Sequence, residues 1–289
     1  MIYAYIDKIN MIKKMESIAV VLTVHNRCDC TIKCLQSLYD EDQYLDVYLT
    51  DDGCTDSTVD SVRTQFPKVK ILNGDGSLFW NRGMHLAYGK ALEHGYDYYL
   101  LINDDIILSR GFLPKMLKCA KQLGNKSIVC GVTVDPETKE RTYGIYTKKV
   151  QAVEISSEVK YGYFSNANLL LVPAEIATAI GNLDYYFRHS LGDFDYTGRA
   201  VMAGYSLAQC PGVCAYCKRH EKLPKWRDVQ YSLSDRLKHL YSPTGRNPKE
   251  FLHFDKRHYG IMIAIMHYLS IHLRCFFPKM FIFDYNEKE

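Results

Sequence analysis

Tyr98-Tyr99-Leu100-Leu101-Ile102-Asn103-Asp104-Asp105-Ile106-Ile107-Leu108 is the stretch on which the reading of this chain turns. An apolar and aromatic run meets three acidic or amide side chains, and three apolar residues follow. A continuous apolar run predicts a strand buried on both faces, as in the middle of a parallel sheet. Carboxylates are costly to bury without a partner, so Asn103, Asp104 and Asp105 are expected where the strand ends and a crevice opens. Open α/β sheets bind ligands at the carboxyl ends of their strands. Two carboxylates there suit a hard divalent cation that also holds a diphosphate. The competing reading is a strand-to-loop turn whose polar residues merely cap the next element.

Upstream, the same pattern repeats. Ser17 to Val24 reads as a buried strand that His25-Asn26-Arg27 breaks, and Ile32, Leu35, Leu38 and Tyr39 then fall at helical spacing. Leu45 to Leu49 is a second strand, ending in Thr50-Asp51-Asp52-Gly53-Cys54-Thr55-Asp56. Gly53 permits a tight turn, and Thr55 or Asp56 can cap a helix through about Thr64. Val69 to Leu72 is a third strand, followed by Asn73-Gly74-Asp75-Gly76-Ser77 and a helix over 80–94. This alternation predicts a mostly parallel α/β sheet with Rossmann-like winding. Four polar strand ends then converge on one edge: Thr23/His25/Asn26/Arg27, Asp51/Asp52, Asn73/Asp75 and Asn103/Asp104/Asp105. Further on come a helix over 111–123, a strand over 127–134 and a turn at 135–139 that joins a hairpin. A strand over 164–172, a helix opened by Pro173 and a helix with an acidic start over 193–204 follow. From Leu223 the chain turns helical and basic.

Composition narrows the function classes. The 289 residues are 47% hydrophobic and 24% charged, as in a folded chain of one large α/β domain or two modest ones. A net charge of +3 is too small to argue for nucleic acid. The ten cysteines are scattered, and the first 16 residues lack a charged-then-apolar secretory pattern, which predicts a reduced, cytoplasmic protein. Met11 and Met15 stand as alternative starts. No apolar span of about 20 residues occurs, so no transmembrane helix is expected. No G-x-G-x-x-G follows the first strand and no G-x-x-x-x-G-K-[ST] occurs, which disfavours a dinucleotide dehydrogenase and a P-loop NTPase. Cys210, Cys214, Cys217 and His220 invite a zinc reading, but their spacing fits no common finger and Pro211-Gly212 interrupts them.

The order Thr23-Val24-His25-Asn26-Arg27, Asp51 to Asp56, Leu101 to Asp105, then Gly192-Asp193-Phe194-Asp195 with Arg199-Ala200 and Gly204-Tyr205 resembles family-2 inverting glycosyltransferases. The resemblance covers roughly residues 17–220 and leaves 221–289 as a basic, helical extension. It implies a GT-A type fold, a UDP- or dTDP-linked sugar donor, and Mg²⁺ or Mn²⁺. By position it gives Thr23, His25, Asn26, Arg27, Asp51 and Asp52 to the nucleobase and ribose. Asp75, Gly76, Trp80 and Asn81 line the nucleotide and sugar pocket. Asn103-Asp104-Asp105 matches the family's Asp-x-Asp motif with Asn in place of the first acid. Asp105 then contacts the metal, and Asp104 the ribose or a metal-bound water. His220 is the nearest match to the family's metal-binding histidine.

Inversion by direct displacement needs a carboxylate to take the acceptor's proton. Asp193 stands where the family has a Glu-Asp pair, with Gly192 replacing the Glu, and Asp195 is the alternative base. The expected acceptor is a hydroxyl of a glycan or lipid-linked molecule in bacterial surface polysaccharide synthesis. The rivals are a sugar nucleotidyltransferase and a sugar-nucleotide-binding protein whose catalytic parts have decayed. The apolar segment Ile261 to Leu273 either packs on the catalytic domain or lies in a membrane interface beside anionic lipid, as a peripheral contact on the inner face.

Overall fold

The computed structural model describes residues 16–218 and 224–281. Its first part alternates strand and helix as expected: β1 (Ile18–Val24), α1 (Cys28–Tyr39), β2 (Asp46–Asp51), α2 (Thr58–Gln65), β3 (Lys70–Asn73), α3 (Phe79–Leu92) and β4 (Tyr98–Ile102). Next come β5 (Ile107–Leu108), α4 (Phe112–Gln122), β6 (Ser127–Val134), β7 (Arg141–Tyr143) and β8 (Ile145–Tyr146). They are followed by β9 (Lys160–Gly162), β10 (Phe164–Ser165), β11 (Leu169–Pro173), α5 (Ala174–Ile180), α6 (Gly192–Met202) and β12 (Ser206–Tyr216). The C-terminal extension adds α7 (Leu233–Tyr241), α8 (Pro248–His258) and α9 (Ile261–Phe276).

The main sheet runs β3-β2-β1-β4-β11-β6-β12-β5. β1, β2, β3 and β4 are parallel neighbours, and so are β6 and β12, while β11 is antiparallel to both β4 and β6. Alternate side chains feed two cores, one on each face. Tyr98, Leu100 and Ile102 of β4 pack with Val20 and Leu22 and with the apolar stripe of α1, Leu35 and Leu38. Tyr99 and Leu101 pack with Val21, Met84 and Tyr88 on the other face. The period of two explains why β4 has no polar residue until it ends.

Three sequence expectations change. The run from 98 to 108 is not one strand: it stops at Ile102, turns through 103–106, and resumes as β5, which leaves β4 to pair with β12. The run from 164 to 172 is likewise split, with the turn Asn166-Ala167-Asn168 between β10 and β11. In both places polar groups end the strand because a continuing ladder would bury them. β12 was not foreseen, because Gln209 and Pro211-Gly212 interrupt its apolar pattern. The structure absorbs them in a register shift between Gln209 and Val213. Cys210, Cys214 and Cys217 belong to the apolar core on and just after this strand, and all ten cysteines are free. The 135–139 turn does join a hairpin, between β6 and β7.

The extension is fastened to the sheet domain through α6. Asp195 is fully buried and accepts from Arg199 Nε at 2.8 Å, from Arg257 Nη1 at 2.6 Å and from His258 Nε2 at 3.0 Å, the last two reaching in from α8. Arg257 also donates to Asp184 at 2.8 Å, and Phe254 packs with Phe164 and Phe187. No helix among the described residues is long and apolar enough to cross a membrane. Met11, Met15 and the 220/221 boundary lie outside the described residues.

The start of α6 is set by a close approach. A Cβ on Gly192 would stand 1.6 Å from Asn81 Oδ1. Asn81 cannot swing away, because its Nδ2 donates to the carbonyls of Asp184 and Phe187, both at 2.9 Å, and its backbone N–H to that of Arg188. Gly192→Ala is expected to destabilise the fold by about 1–3 kcal/mol in urea unfolding. Asn81→Ala should recover part of that loss in the double variant, and strict additivity would disprove the contact.

Candidate active site

The acidic trio closes β4. Asn103 Oδ1 accepts from Trp80 Nε1 at 2.8 Å, and its backbone N–H donates to Asn168 O at 3.2 Å. Arg27 crosses from the end of β1 with Nη1 3.2 Å from Asp104 Oδ1 and Nη2 2.8 Å from Asp105 Oδ2. Asp104 is buried and also accepts from Thr31 Oγ1 at 3.3 Å. Burial pushes its pKa up to about 6, with Asp105 adding to the rise and Arg27 opposing it. The other oxygen of Asp105, Oδ1, is buried without a partner.

The remaining strand ends do converge on this edge, but several of their polar atoms are spent on backbone. Asp52 is buried and accepts from the amides of Gly76, Leu78 and Phe79 at 2.8–3.1 Å. It shapes the loop after β3, holding Phe79 at a left-handed φ of 57°. Asn26 Oδ1 accepts from the amides of Thr55 and Asp56, tying the β1 loop to the β2 loop. Asp51 Oδ1 accepts from Cys54 N. Thr23 Oγ1 donates to Thr50 O and lies where a Cβ on Gly83 would be, so that α3 can press against β1. His25 Nδ1 is 2.6 Å from Asp52 O, and Asp75 caps Ser77 at the surface. Asp52 and Asn81, expected to touch the nucleotide and sugar, therefore brace the crevice walls. Their hydrogen-bonding groups are turned into the protein.

Asp193 lies at the head of α6, after Leu191 at a left-handed φ of 72°. Its Oδ1 accepts from the Phe194 amide at 2.8 Å and its Oδ2 from the Ala167 amide at 3.2 Å. Burial nevertheless pushes its pKa up to about 6, with the side chain of Asn166 among the groups that oppose the rise. Asp195 is ruled out as the alternative base: it is fully buried, and His258, Arg199 and Arg257 hold its carboxyl below the usual range against the desolvation. The turn Asn166-Ala167-Asn168 thus bonds Asp193 on one side and Asn103 on the other. Sequence reasoning missed this turn by drawing the strand straight through it. The two asparagines inside an apolar run were the signal. It also passed over His189, whose ring meets Phe79 edge-on and whose Nδ1 is buried without a partner.

The residues fit a hard divalent cation in part. The donors at the trio are oxygens, and Asp105 Oδ1 is buried without a hydrogen-bond partner, with the Cys217 thiol beside the same carboxyl. Among the described residues no three His, Cys, Asp or Glu side chains are grouped to hold a metal ion. That suits an ion taken by one or two carboxylates and completed by substrate phosphates, not one caged by protein. His220 lies outside the described residues.

Comparison with known proteins agrees with this geometry. The family model described as Glycosyl transferase family 2 matches residues 19–192, more than half of the chain. The SPbeta prophage-derived glycosyltransferase SunS of Bacillus subtilis (strain 168) is 27% identical over 141 residues, as is glycosyltransferase SunS of Bacillus phage SPbeta. The match takes in 48% of this chain and 32% of SunS, so the chain spans about a third of the length of those relatives. Among solved structures, GalNAc-T7 with UDP, GalNAc and Mn²⁺ aligns at a TM-score of 0.56 and 12% identity over 88% of this chain and 56% of its own. The mannosyltransferase PcManGT from Pyrobaculum calidifontis with GDP-Man and Mn²⁺ aligns at 0.53 and 16% over 93% and 81%. At such identities these two show the fold, a GT-A type. With the family covering residues 19–192 and the fold in accord, this chain belongs to glycosyl transferase family 2.

Proposed function

We propose that the protein is an inverting, divalent-cation-dependent glycosyltransferase that moves a sugar from a UDP- or dTDP-sugar to a hydroxyl of a glycan or lipid-linked acceptor. The observation that carries this reading is the 166–168 turn, which bonds the Asp193 carboxylate, of raised pKa, at one residue and the backbone of Asn103 at the next. In the proposed reaction Asp193 takes the proton of the acceptor hydroxyl as that oxygen bonds to the anomeric carbon. The bond from that carbon to the diphosphate breaks on the opposite face. Asp105 would hold Mg²⁺ or Mn²⁺, with Asp104 against the ribose or a metal-bound water, and the ion when bound would neutralise the leaving diphosphate. Trp80 and Asn103 would wall the donor side, with the exposed loop at 75–76 beside the nucleotide. The proposed acceptor is one used in bacterial surface polysaccharide synthesis.

Gly192 bears on the rival of a decayed, binding-only protein. Its missing side chain is matched by Asn81 filling the space, so the absence of the family's Glu is compensated in the packing. The nucleotidyltransferase rival would want a Gly-rich basic loop after β1, and Arg27 there is committed to Asp104 and Asp105.

Asp193→Asn is expected to lower kcat by about 10²–10⁴-fold while UDP binding measured by calorimetry persists. Unchanged turnover would remove Asp193 from the mechanism. A base works ionised, so wild-type kcat at saturating donor and metal should fall as pH drops through about 6. Stability runs the other way. With a folded-state pKa of about 6 against an ordinary 3.8, this carboxyl favours the native state at low pH, and that contribution is lost as pH rises to 6. The Asn variant should therefore melt no lower than wild type at pH 7.5.

The cation site has its own test. Arg27→Ala leaves Asp104 and Asp105 without their counter-charge, so Mn²⁺ is expected to raise the melting temperature more in the variant than in the wild type. No response to Mn²⁺ in either protein, with UDP present, would overturn the proposed site.

A further inference from the structure

The last helix presents a face that nothing in the described chain covers. α9 turns Ala264, Ile271 and Cys275 inward, the last two packing with Trp226 and Leu240. At about 100° per residue, Met262, Ile265, Met266, Leu269, Leu273 and Phe276 form the opposite stripe, each 42–72% exposed. The stripe runs on through Phe277 and Met280. Arg274 is the one Lys, Arg, Asp or Glu between 261 and 276, and it projects to the side of the stripe.

Length and charge decide what fits this face. Sixteen residues rise about 24 Å, short of the roughly 30 Å hydrocarbon core of a bilayer, so the helix suits lying in a membrane surface. Residues 224–281 carry ten Lys and Arg against four Asp and Glu. The acids are engaged locally: Glu250 with Arg188, Asp255 with His267, Asp235 with Ser232 and Asp228 with the Gln230 amide. Among the described residues of the extension no acid is left over to receive the cations of a second copy. At the end of the stripe a cavity of about 260 Å³ sets Arg236 and Lys279 beside Phe276, Phe277 and Met280. Arg236 is held there by its Nε and Nη1, which donate to the carbonyls of Cys275 and Tyr231. Its positive charge is thus fixed at the cavity with Lys279 over an apolar floor, which matches a phosphate headgroup above its acyl chains.

We propose that α9 docks on an anionic bilayer, its apolar stripe at the acyl boundary and the Arg236–Lys279 cavity on lipid phosphates. The arrangement is that of an interfacial helix reinforced by basic residues. It stands apart from the donor, metal and base assignments. If the acceptor is lipid-linked, as that reading has it, docking also confines enzyme and acceptor to one surface.

Vesicle co-sedimentation without donor or acceptor tests the proposal, so its failure is distinct from failure of sugar transfer. Wild-type protein should bind phosphatidylcholine–phosphatidylglycerol vesicles at least about tenfold better than pure phosphatidylcholine, and lose that preference in high salt. Met266→Glu with Leu269→Glu, both at exposed positions, should abolish binding while leaving UDP binding intact. Lys279→Glu should weaken binding to the anionic vesicles by roughly fivefold or more. Absence of vesicle binding by the wild type overturns the proposal. So does a concentration-dependent dimer in light scattering that the Met266/Leu269 variant abolishes, which would give the face to a second copy.

Discussion

The arrangement rests on β11, an antiparallel strand set between β4 and β6 in the middle of a mostly parallel sheet. β11 runs between β4 and β6 with its first residue, Leu169, opposite Ile102. Because it runs against β4, the turn that enters it must sit at the carboxyl end of β4, where a parallel strand would have placed its exit. That is why residues 166–168 can reach both Asn103 and Asp193. The constraint is a backbone one: the ladder between β4 and β11 fixes the distance between two chemical groups that lie 90 positions apart in sequence. Both faces of the ladder are closed by the two apolar cores, so the register cannot slip by one residue without turning buried leucines from one core into the other.

Asp193 and Asp195 show how little separates the proposed base from a structural ion pair. They lie in the same turn of α6, and burial raises the pKa of both. Asp195 has three cationic or imidazole partners, two of them from α8, which outweigh the desolvation and hold its pKa low. Asp193 has backbone amides and Asn166 only, which do not outweigh it. Environments that drive neighbouring carboxyls apart in this way are how acid and base roles are assigned on a common scaffold. Keeping Asp193 ionised at neutral pH in its buried setting costs on the order of 2–3 kcal/mol, which the packing around it must offset.

Much of this was legible in the residues, and the boundary of legibility has a physical cause. Strand ends are readable because burial on both faces forbids polar side chains, so the first polar residue after an apolar run marks the edge of the sheet. That logic came close to the ends of β1, β2 and β3. It failed where a strand stops for a turn and apolar residues resume at once, as at Asn103 to Ile106 and Asn166 to Asn168. It failed again at β12, where a bulge accommodates Pro211 and Gly212. Side-chain orientation was less legible still. Asp52 and Asn81 have the composition of ligand-binding residues and sit at the crevice, yet their hydrogen bonds close loops. Only the folded geometry tells which way such a group turns.

The Asn103 substitution, which leaves the motif one carboxylate short, takes a different meaning beside Arg27. Two adjacent carboxylates, one of them buried, would repel each other, and a guanidinium within 3.2 Å of both relieves that without a metal. A third acid at position 103 would add charge to a site that Arg27 already balances. It would also accept from Trp80 as a charge, and not as the neutral amide that Trp80 now anchors. The site therefore has an internal cation and a neutral anchor, with one carboxylate oxygen, Asp105 Oδ1, left over. On the proposed reading a divalent ion need not displace the guanidinium to find that oxygen, but it must bring its remaining ligands with it. The proposed donor's diphosphate would be the source of those ligands, which would couple cation binding to donor binding through charge alone.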